Sequence, residues 1–252
     1  NFEIIIVDNN SEQSESHSYF ESIRTNRVKI FPFNNDFNYS AINNFAVAKA
    51  EGEIIVLLNN DIEIIQSDWL EELVSQAVRP EIGAVGCRLY YADNRVQHDG
   101  IIIGIGGVAG YAHPGLEREA SGEFGRSKLI QNYSAVTAAA LAVKKAIYNE
   151  VGGLDEDNLA VAFNDVDFCL RIKEAGYRNL YTPFAELYHH ESVSRGPDTD
   201  PQKAERFEKE ALYMKNKWSA LINNDPCYNP NLSLSHGFTI DTGRGKSWPW
   251  TV

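Results

Sequence analysis

The 252 residues are 43% hydrophobic, which suits one large α/β domain or two small ones. A net charge of -12 without any basic stripe argues against nucleic acid as a partner. No apolar run approaches the ~20 residues a bilayer-crossing helix needs, and the opening NFEIIIVDNN lacks the basic stretch and small-residue cleavage site of a secretory signal. Cys87, Cys169 and Cys227 are far apart and odd in number, which fits neither a disulfide framework nor a zinc site and predicts a reducing compartment. The expected location is cytoplasmic, at most peripheral at the inner face of a membrane.

In chain order, EIIIV (3–7) predicts a buried strand, followed by a polar helical stretch to about Arg24. VKIFPF (28–33) predicts a second strand, and residues 39–53 a helix ending near Gly52. IIVLL (54–58) is a strand that reads as buried and central. SDWLEELVSQAV (67–78) is a helix with Ser67 as its N-cap and Glu71 close behind. IGAVGCRLYY (82–91) is the next strand. Strands alternating with helices predict a mixed, mostly parallel sheet flanked by helices. Residues 92–133, rich in Gly and polar side chains, predict a long excursion over the sheet.

Within the excursion, GIGGVA (104–109) matches a dinucleotide-binding pattern. YAHPG follows at once and leaves no room for the required helix, so a loop or hairpin is the better reading. His98 and His113 lie in the same excursion and could touch a polar ligand. Residues 134–156 predict a small-residue strand, a short helix and a glycine turn. Residues 163–176 predict a helix with Phe168, Leu170, Ile172 and Ala175 on its apolar face. YRNLYTP and AELYHHESVSRG predict short strands and a loop. Residues 206–222 predict one amphipathic helix with a stripe of Phe207, Ala211, Met214, Trp218 and Leu221. The expected division is a domain over 1–222 and a tail over 223–252 that packs on the domain or leaves it.

In open α/β sheets, ligands bind beyond the carboxyl ends of the strands. Asp8 and Asn9 end one strand, and Asn60 and Asp61 end another, so both polar tips are expected to face one crevice. Either tip alone could simply cap a turn. Asp61, Asp165/Asp167 and His189/His190 form three clusters at element ends. Asp and His together suit Mn or Mg when a phosphate supplies further oxygens. A second carboxylate at a helix start could act as a base. Asp167 and Arg171 are four apart and predict an ordinary ion pair on the helix face, which leaves Asp165 available for chemistry. The helix N-terminus predicts an ionised Asp165 at neutral pH.

EIIIVDNNS, AEGEIIVLLNND, VGGLDE, NDVDFCLR and HHESVSRG, in this order and spacing, resemble inverting family-2 glycosyltransferases with the GT-A fold. The nearest likeness is to bacterial enzymes of O-antigen and other polysaccharide assembly, and it covers residues 1 to about 196. The resemblance implies that Asp8 and Asn9 contact the nucleotide base and that Asn44 faces the nucleotide. Asp61 matches the last residue of the short acidic metal motif, here Asn59-Asn60-Asp61, which leaves one carboxylate to hold a metal through the donor diphosphate. Asp165 matches the catalytic base, with Asn164 in place of a Glu. His189 matches the metal-side histidine, His190 being the weaker candidate. Ser194 and Arg195 match positions that approach the diphosphate, and the Arg195 fork suits phosphate. Asp155 and Glu156 are acceptor-side or loop candidates.

The implied partners are a nucleotide-diphosphate sugar donor, a glycan or lipid-linked acceptor, and further domains of a longer protein. The implied cofactor is Mn or Mg. Family members also begin with an extra strand and helix before the segment matching NFEIIIVDN. The competing reading is a non-catalytic nucleotide-sugar or glycan-binding domain, favoured by the amides at Asn59, Asn60 and Asn164. The retained Asp61, Asp165 and His189 speak against it. A nicotinamide dehydrogenase would rest on GIGGVA alone.

Overall fold

A computed structural model describes residues 1–191, 201–235 and 237–241. Strand β1 (Ile4–Asp8) pairs in parallel with β2 (Val28–Pro32), and α1 (Ser14–Ile23) makes the crossover. The two strands form a sheet of their own. Helix α2 (Tyr39–Lys49) follows, capped by Asn38, whose side chain accepts the Ala41 N–H at 2.9 Å. Glu3 ties the small sheet to the turn after α2. One of its carboxylate oxygens accepts the Glu51 and Gly52 N–H groups at 2.6 and 3.2 Å, and the other meets Lys29 Nζ at 2.8 Å.

The main sheet begins with β3 (Ile54–Leu58) and β4 (Ile62–Ile64). After α3 (Trp69–Ala77) come β5 (Ile82–Tyr90), β6 (Val96–His98), β7 (Ile101–Ile103), β8 (Ala109–Tyr111), β9 (Gln131–Tyr133) and β10 (Ala140–Lys144). Helices α4 (Lys145–Glu150) and α5 (Asn164–Glu174), strand β11 (Arg178–His189), and helices α6 (Pro201–Lys217) and α7 (Ser219–Asn223) complete the order. The main path is β3-β10-β5-β11-β4, with β6 on β5 and β9 on β11. β5 runs parallel to β11 and antiparallel to β10, so the sheet is mixed.

Period-2 alternation sends β5 to two cores. Val85, Cys87 and Leu89 pack with Leu73 and Ala77 of α3 on one face. Ala84 joins Phe168 and Ile172 of α5 on the other. Cys87 and Cys169 are buried free thiols, and Cys227 is half-buried and free.

Several expectations need correction. IIVLL is not central: β3 lies at one end of the main sheet and pairs with β10, and Leu58 is 43% exposed. A continuous apolar run signals burial but does not say which strands become neighbours. YRNLYTP and AELYHH form one strand, because β11 passes Pro183, which has no N–H to donate, by a register shift between Thr182 and Glu186. The 206–222 helix is two, divided at Trp218, and Phe207 is 51% exposed, off the buried stripe. Ser67 is not a cap: α3 starts at Trp69 behind Asp68. GIGGVA, by contrast, is the expected hairpin turn, joining β7 to β8 with a 3₁₀ turn at Ile105–Gly107. Beyond α7, Asp225 and Tyr228 are buried, and Asp225 accepts the Ile103 N–H at 2.8 Å.

Candidate active site

The short segment Thr137–Ala139, entering β10, gathers the motifs that lie far apart in sequence. The Tyr39 hydroxyl, at the start of α2, donates to the Ala138 carbonyl at 2.9 Å. The Ala138 N–H donates to Asp165 Oδ2 at 3.1 Å. The Asn59 N–H donates to the Ala139 carbonyl at 2.9 Å. The β3 tip, the α5 start and the α2 start therefore meet across three residues.

Asp165 is half-buried in the first turn of α5. Its own Oδ1 accepts the Val166 N–H at 2.8 Å, and Thr137 hydrogen-bonds the same carboxylate. Burial outweighs these bonds and raises its pKa above the ordinary value of 3.8. A helix end by itself would lower this pKa, so burial is the stronger influence on the carboxylate. Asp167 is buried completely. It meets Arg171 Nε at 2.7 Å, Lys217 Nζ at 2.7 Å and Trp218 Nε1 at 2.8 Å. It is a packing ion and not an exposed helix-face pair.

The β3–β4 turn carries Asn60, which is exposed, and Asp61, which is half-buried. His189, at the end of β11, sets Nε2 3.2 Å from Asp61 Oδ1 and 3.2 Å from Asn59 Nδ2. Its Nδ1 lies 2.7 Å from Gln97 Oε1, an acceptor, so Nδ1 carries a proton. The neutral ring then turns an Nε2 lone pair toward the Asp61 carboxylate. Asp61 Oδ1 is buried without a hydrogen-bond partner. Nε2 has the Asn59 amide as a neighbouring donor and Asp61 Oδ1 has no hydrogen-bond partner, so a carboxylate oxygen and an imidazole nitrogen side by side fit a divalent ion. Among the described residues no group of three or more His, Cys, Asp and Glu could hold a metal, so further ligands would come from a bound phosphate and water. Calorimetric titration of Mn²⁺ should show binding at least about tenfold tighter with saturating UDP than without it, after subtraction of the Mn–UDP heat. Equal affinities would remove the case for a shared site.

The other candidates fall elsewhere. Asp8 Oδ1 accepts the Ser11 N–H at 3.0 Å, and Asn9 Nδ2 donates to the carbonyls of Phe33 and Asn35 at 2.9 and 2.8 Å. These bonds join the tips of β1 and β2. Asn44 is fully engaged by the glycine turn: Nδ2 donates to the Leu154 carbonyl and to Glu156, and Oδ1 accepts from Tyr148 and the Leu154 N–H. Gly153 (φ +70°) sits so close to Asn44 Oδ1 that an added Cβ would come within 2.5 Å. Asn44, Asp155, Glu156, Arg171 and Lys217 line a groove of about 630 Å³. Asp155 accepts the Tyr213 hydroxyl at 2.8 Å.

His98 is a core residue. Nδ1 bonds the Cys87 carbonyl at 2.9 Å, Nε2 accepts the Thr137 N–H at 3.2 Å, and burial lowers its pKa to about 4. His113 lies between Asp99 at 2.6 Å and Glu123 at 3.0 Å, stacked on Phe238. His190 pairs with Glu63 at 2.8 Å. Ser194 and Arg195 lie outside the described residues. Gln97 and Thr137 escaped sequence reasoning, because neither carries a motif and both matter only through partners distant in the chain.

The mixed sheet flanked by helices is the GT-A fold. A family model described as Glycosyl transferase family 2 matches residues 1–130, and the chain belongs to that family. It is 52% identical over 247 residues to the "uncharacterized protein y4gI" of Sinorhizobium fredii, covering 97% of this chain and 27% of that protein. It is 39% identical over 235 residues to the O-antigen biosynthesis protein RfbC of Myxococcus xanthus, covering 93% of this chain and 18% of that one. The chain thus spans only a minor part of both relatives. The solved structure of GalNAc-T7 with UDP, GalNAc and Mn²⁺ superposes with a TM-score of 0.59 at 12% identity, covering 92% of this chain and 53% of that one. At that identity the likeness speaks for the fold.

Proposed function

We propose that the chain moves a sugar from a nucleotide-diphosphate donor to a hydroxyl of a glycan or lipid-linked acceptor, with inversion, in cell-surface polysaccharide synthesis. The observation that carries this reading is the half-buried Asp165 carboxylate, joined through Ala138–Ala139 to the β3 tip that presents Asp61 toward His189. The name of the RfbC relative supports the polysaccharide setting.

In the proposed reaction Asp165 takes the proton from the acceptor hydroxyl. The acceptor oxygen bonds the anomeric carbon as the bond from that carbon to the diphosphate oxygen breaks, and the electron pair leaves on the diphosphate. One base and no protein nucleophile imply inversion. Asp61 and His189 would hold the divalent ion, Mn or Mg, which supplies Lewis-acid stabilisation of the leaving diphosphate when bound. Gln97 fixes the His189 tautomer for that role. Asp8 and Asn9 are assigned to the nucleotide base, and Asn44 acts through the glycine turn. We assign catalysis to residues 1–222; the described part of the tail beyond them is buried on the domain at Asp225 and Tyr228. No helix among the described residues is long and apolar enough to cross a membrane; the expected location stays cytoplasmic, at most peripheral at the inner face.

The test is incubation with UDP-GlcNAc, GDP-mannose and dTDP-L-rhamnose, with and without Mn²⁺. The expected result is metal-dependent release of nucleoside diphosphate from one donor, with an anomeric configuration opposite to the donor's. Donor binding without any release would instead support a non-catalytic sugar-nucleotide module.

A further inference from the structure

Helix α6 reaches the loop in front of Asp165. Glu210, 3% exposed, accepts the backbone N–H of Val161 at 3.1 Å on one carboxylate oxygen and that of Ala162 at 2.8 Å on the other. One turn earlier on the helix, the Phe207 ring lies 5.3 Å from the Phe163 ring. Phe163 holds φ 59° and ψ 6°, a left-handed conformation that a bulky residue keeps only where its surroundings impose it. Asn164 Nδ2 closes the turn on the Val161 carbonyl at 2.9 Å. On the opposite side, Ser40 Oγ of α2 donates to the Leu159 carbonyl at 2.5 Å. Asp165 follows Phe163 by two residues. A buried carboxylate is a costly way to satisfy two amides, and a loop with no positional demand could meet them with water or a neutral side chain.

We infer that Glu210 is a positioning residue for the base: by fixing the Val161 and Ala162 amides it holds Phe163 in its left-handed turn and the Asp165 carboxylate against Ala138, at one reach from the acceptor hydroxyl. The inference rests on the reading of Asp165 as the base. Glu210 touches no substrate. Its effect runs through the backbone, and a misplacement of about 1 Å in a reacting group can cost about 10²-fold in rate.

Glu210→Gln in the full chain tests it. The side chain keeps its shape but presents an NH₂ where an N–H needs an acceptor. The readout is Mn-dependent hydrolysis of whichever of UDP-GlcNAc, GDP-mannose and dTDP-L-rhamnose the wild type turns over, per folded molecule. The expected result is a kcat lower by about tenfold or more with donor KM held within about twofold, and an acid limb of the pH–rate profile moved to lower pH as Asp165 loosens into solvent. Glu210→Ala should lower kcat and shift the acid limb further in the same directions, with donor KM again within about twofold. A kcat and acid limb equal to wild type would overturn the inference, whatever the loss of melting temperature. If neither variant folds, Phe163→Gly, which adopts left-handed angles without strain, should lower kcat at unchanged donor KM, and an unchanged kcat would overturn it equally. Asp165→Asn run in parallel separates the readings. Normal turnover there defeats the base assignment, while a collapse there beside an unaltered Glu210→Gln defeats the positioning role alone.

Discussion

Asp165→Asn should lower turnover by about 10²–10⁴-fold while donor affinity barely changes, because the substitution keeps shape and removes proton affinity. The measurement is single-turnover rate and donor Kd for the full chain, with folding checked by melting. The pH dependence carries its own sign. The folded-state pKa of Asp165 lies above 3.8, and the base works only when ionised. Activity should therefore fall as pH drops through that raised value, at a higher pH than an ordinary aspartate would give. Stability runs the opposite way: between 3.8 and the folded-state pKa the native state binds the extra proton, so this group's contribution is intact below 3.8 and is lost as pH rises through the folded value. The carboxylate proposed as the base thus costs stability in the pH range where it would be ionised. Near-normal turnover in Asp165→Asn would place the base elsewhere.

Asp167→Asn should do the reverse, with large damage to stability and little to chemistry. The carboxylate is fully buried, and Arg171 and Lys217 share it while keeping side-chain exposures of 18% and 31%. Breaking a buried pair costs about 3–5 kcal/mol, and the partial exposure of both cations brings the expectation to about 2–4 kcal/mol. For a chain of this size that corresponds to a melting temperature lower by about 5–15 °C. Turnover per folded molecule should stay within about tenfold of wild type. A melting temperature unchanged to a degree, or a rate collapse in a protein that still melts normally, would show that the two aspartates have exchanged roles.

The contrast between these neighbours shows what the sequence makes legible. Strands 4–8, 28–32, 54–58 and 82–90 stand out as near-continuous apolar runs, and α5 stands out by its periodicity and the glycine after it. Local spacing also identifies the Asp167–Arg171 pair. Its burial could not be foreseen, because Lys217 and Trp218 arrive from 50 and 51 residues away. Asp165 illustrates the same limit in electrostatics: the helix-end effect is local and readable, while the opposing desolvation depends on burial that only the folded chain sets. The edge position of β3 was hidden because an apolar run records burial and not the identity of its neighbours. Gln97 was hidden because a single glutamine in a polar excursion has no pattern, and its role exists only where β6 meets the end of β11.

The small β1–β2 sheet has a further consequence for how the chain unfolds. Two strands alone are marginal in water, and this pair is anchored to the rest partly through the Glu3 carboxylate and the Glu51 and Gly52 amides. The β1–β2 sheet should therefore open at a lower free energy than the main sheet, which amide hydrogen exchange would read as faster exchange in residues 4–8 and 28–32 than in 82–90. The four tryptophans are Trp69, Trp218, Trp248 and Trp250, and residues 1–53 contain none. Among the described residues, Trp69 and Trp218 pack on the cores of the large sheet, so their emission reports on that sheet and not on β1–β2, although the small sheet carries the Asp8–Asn9 tip assigned to the nucleotide base.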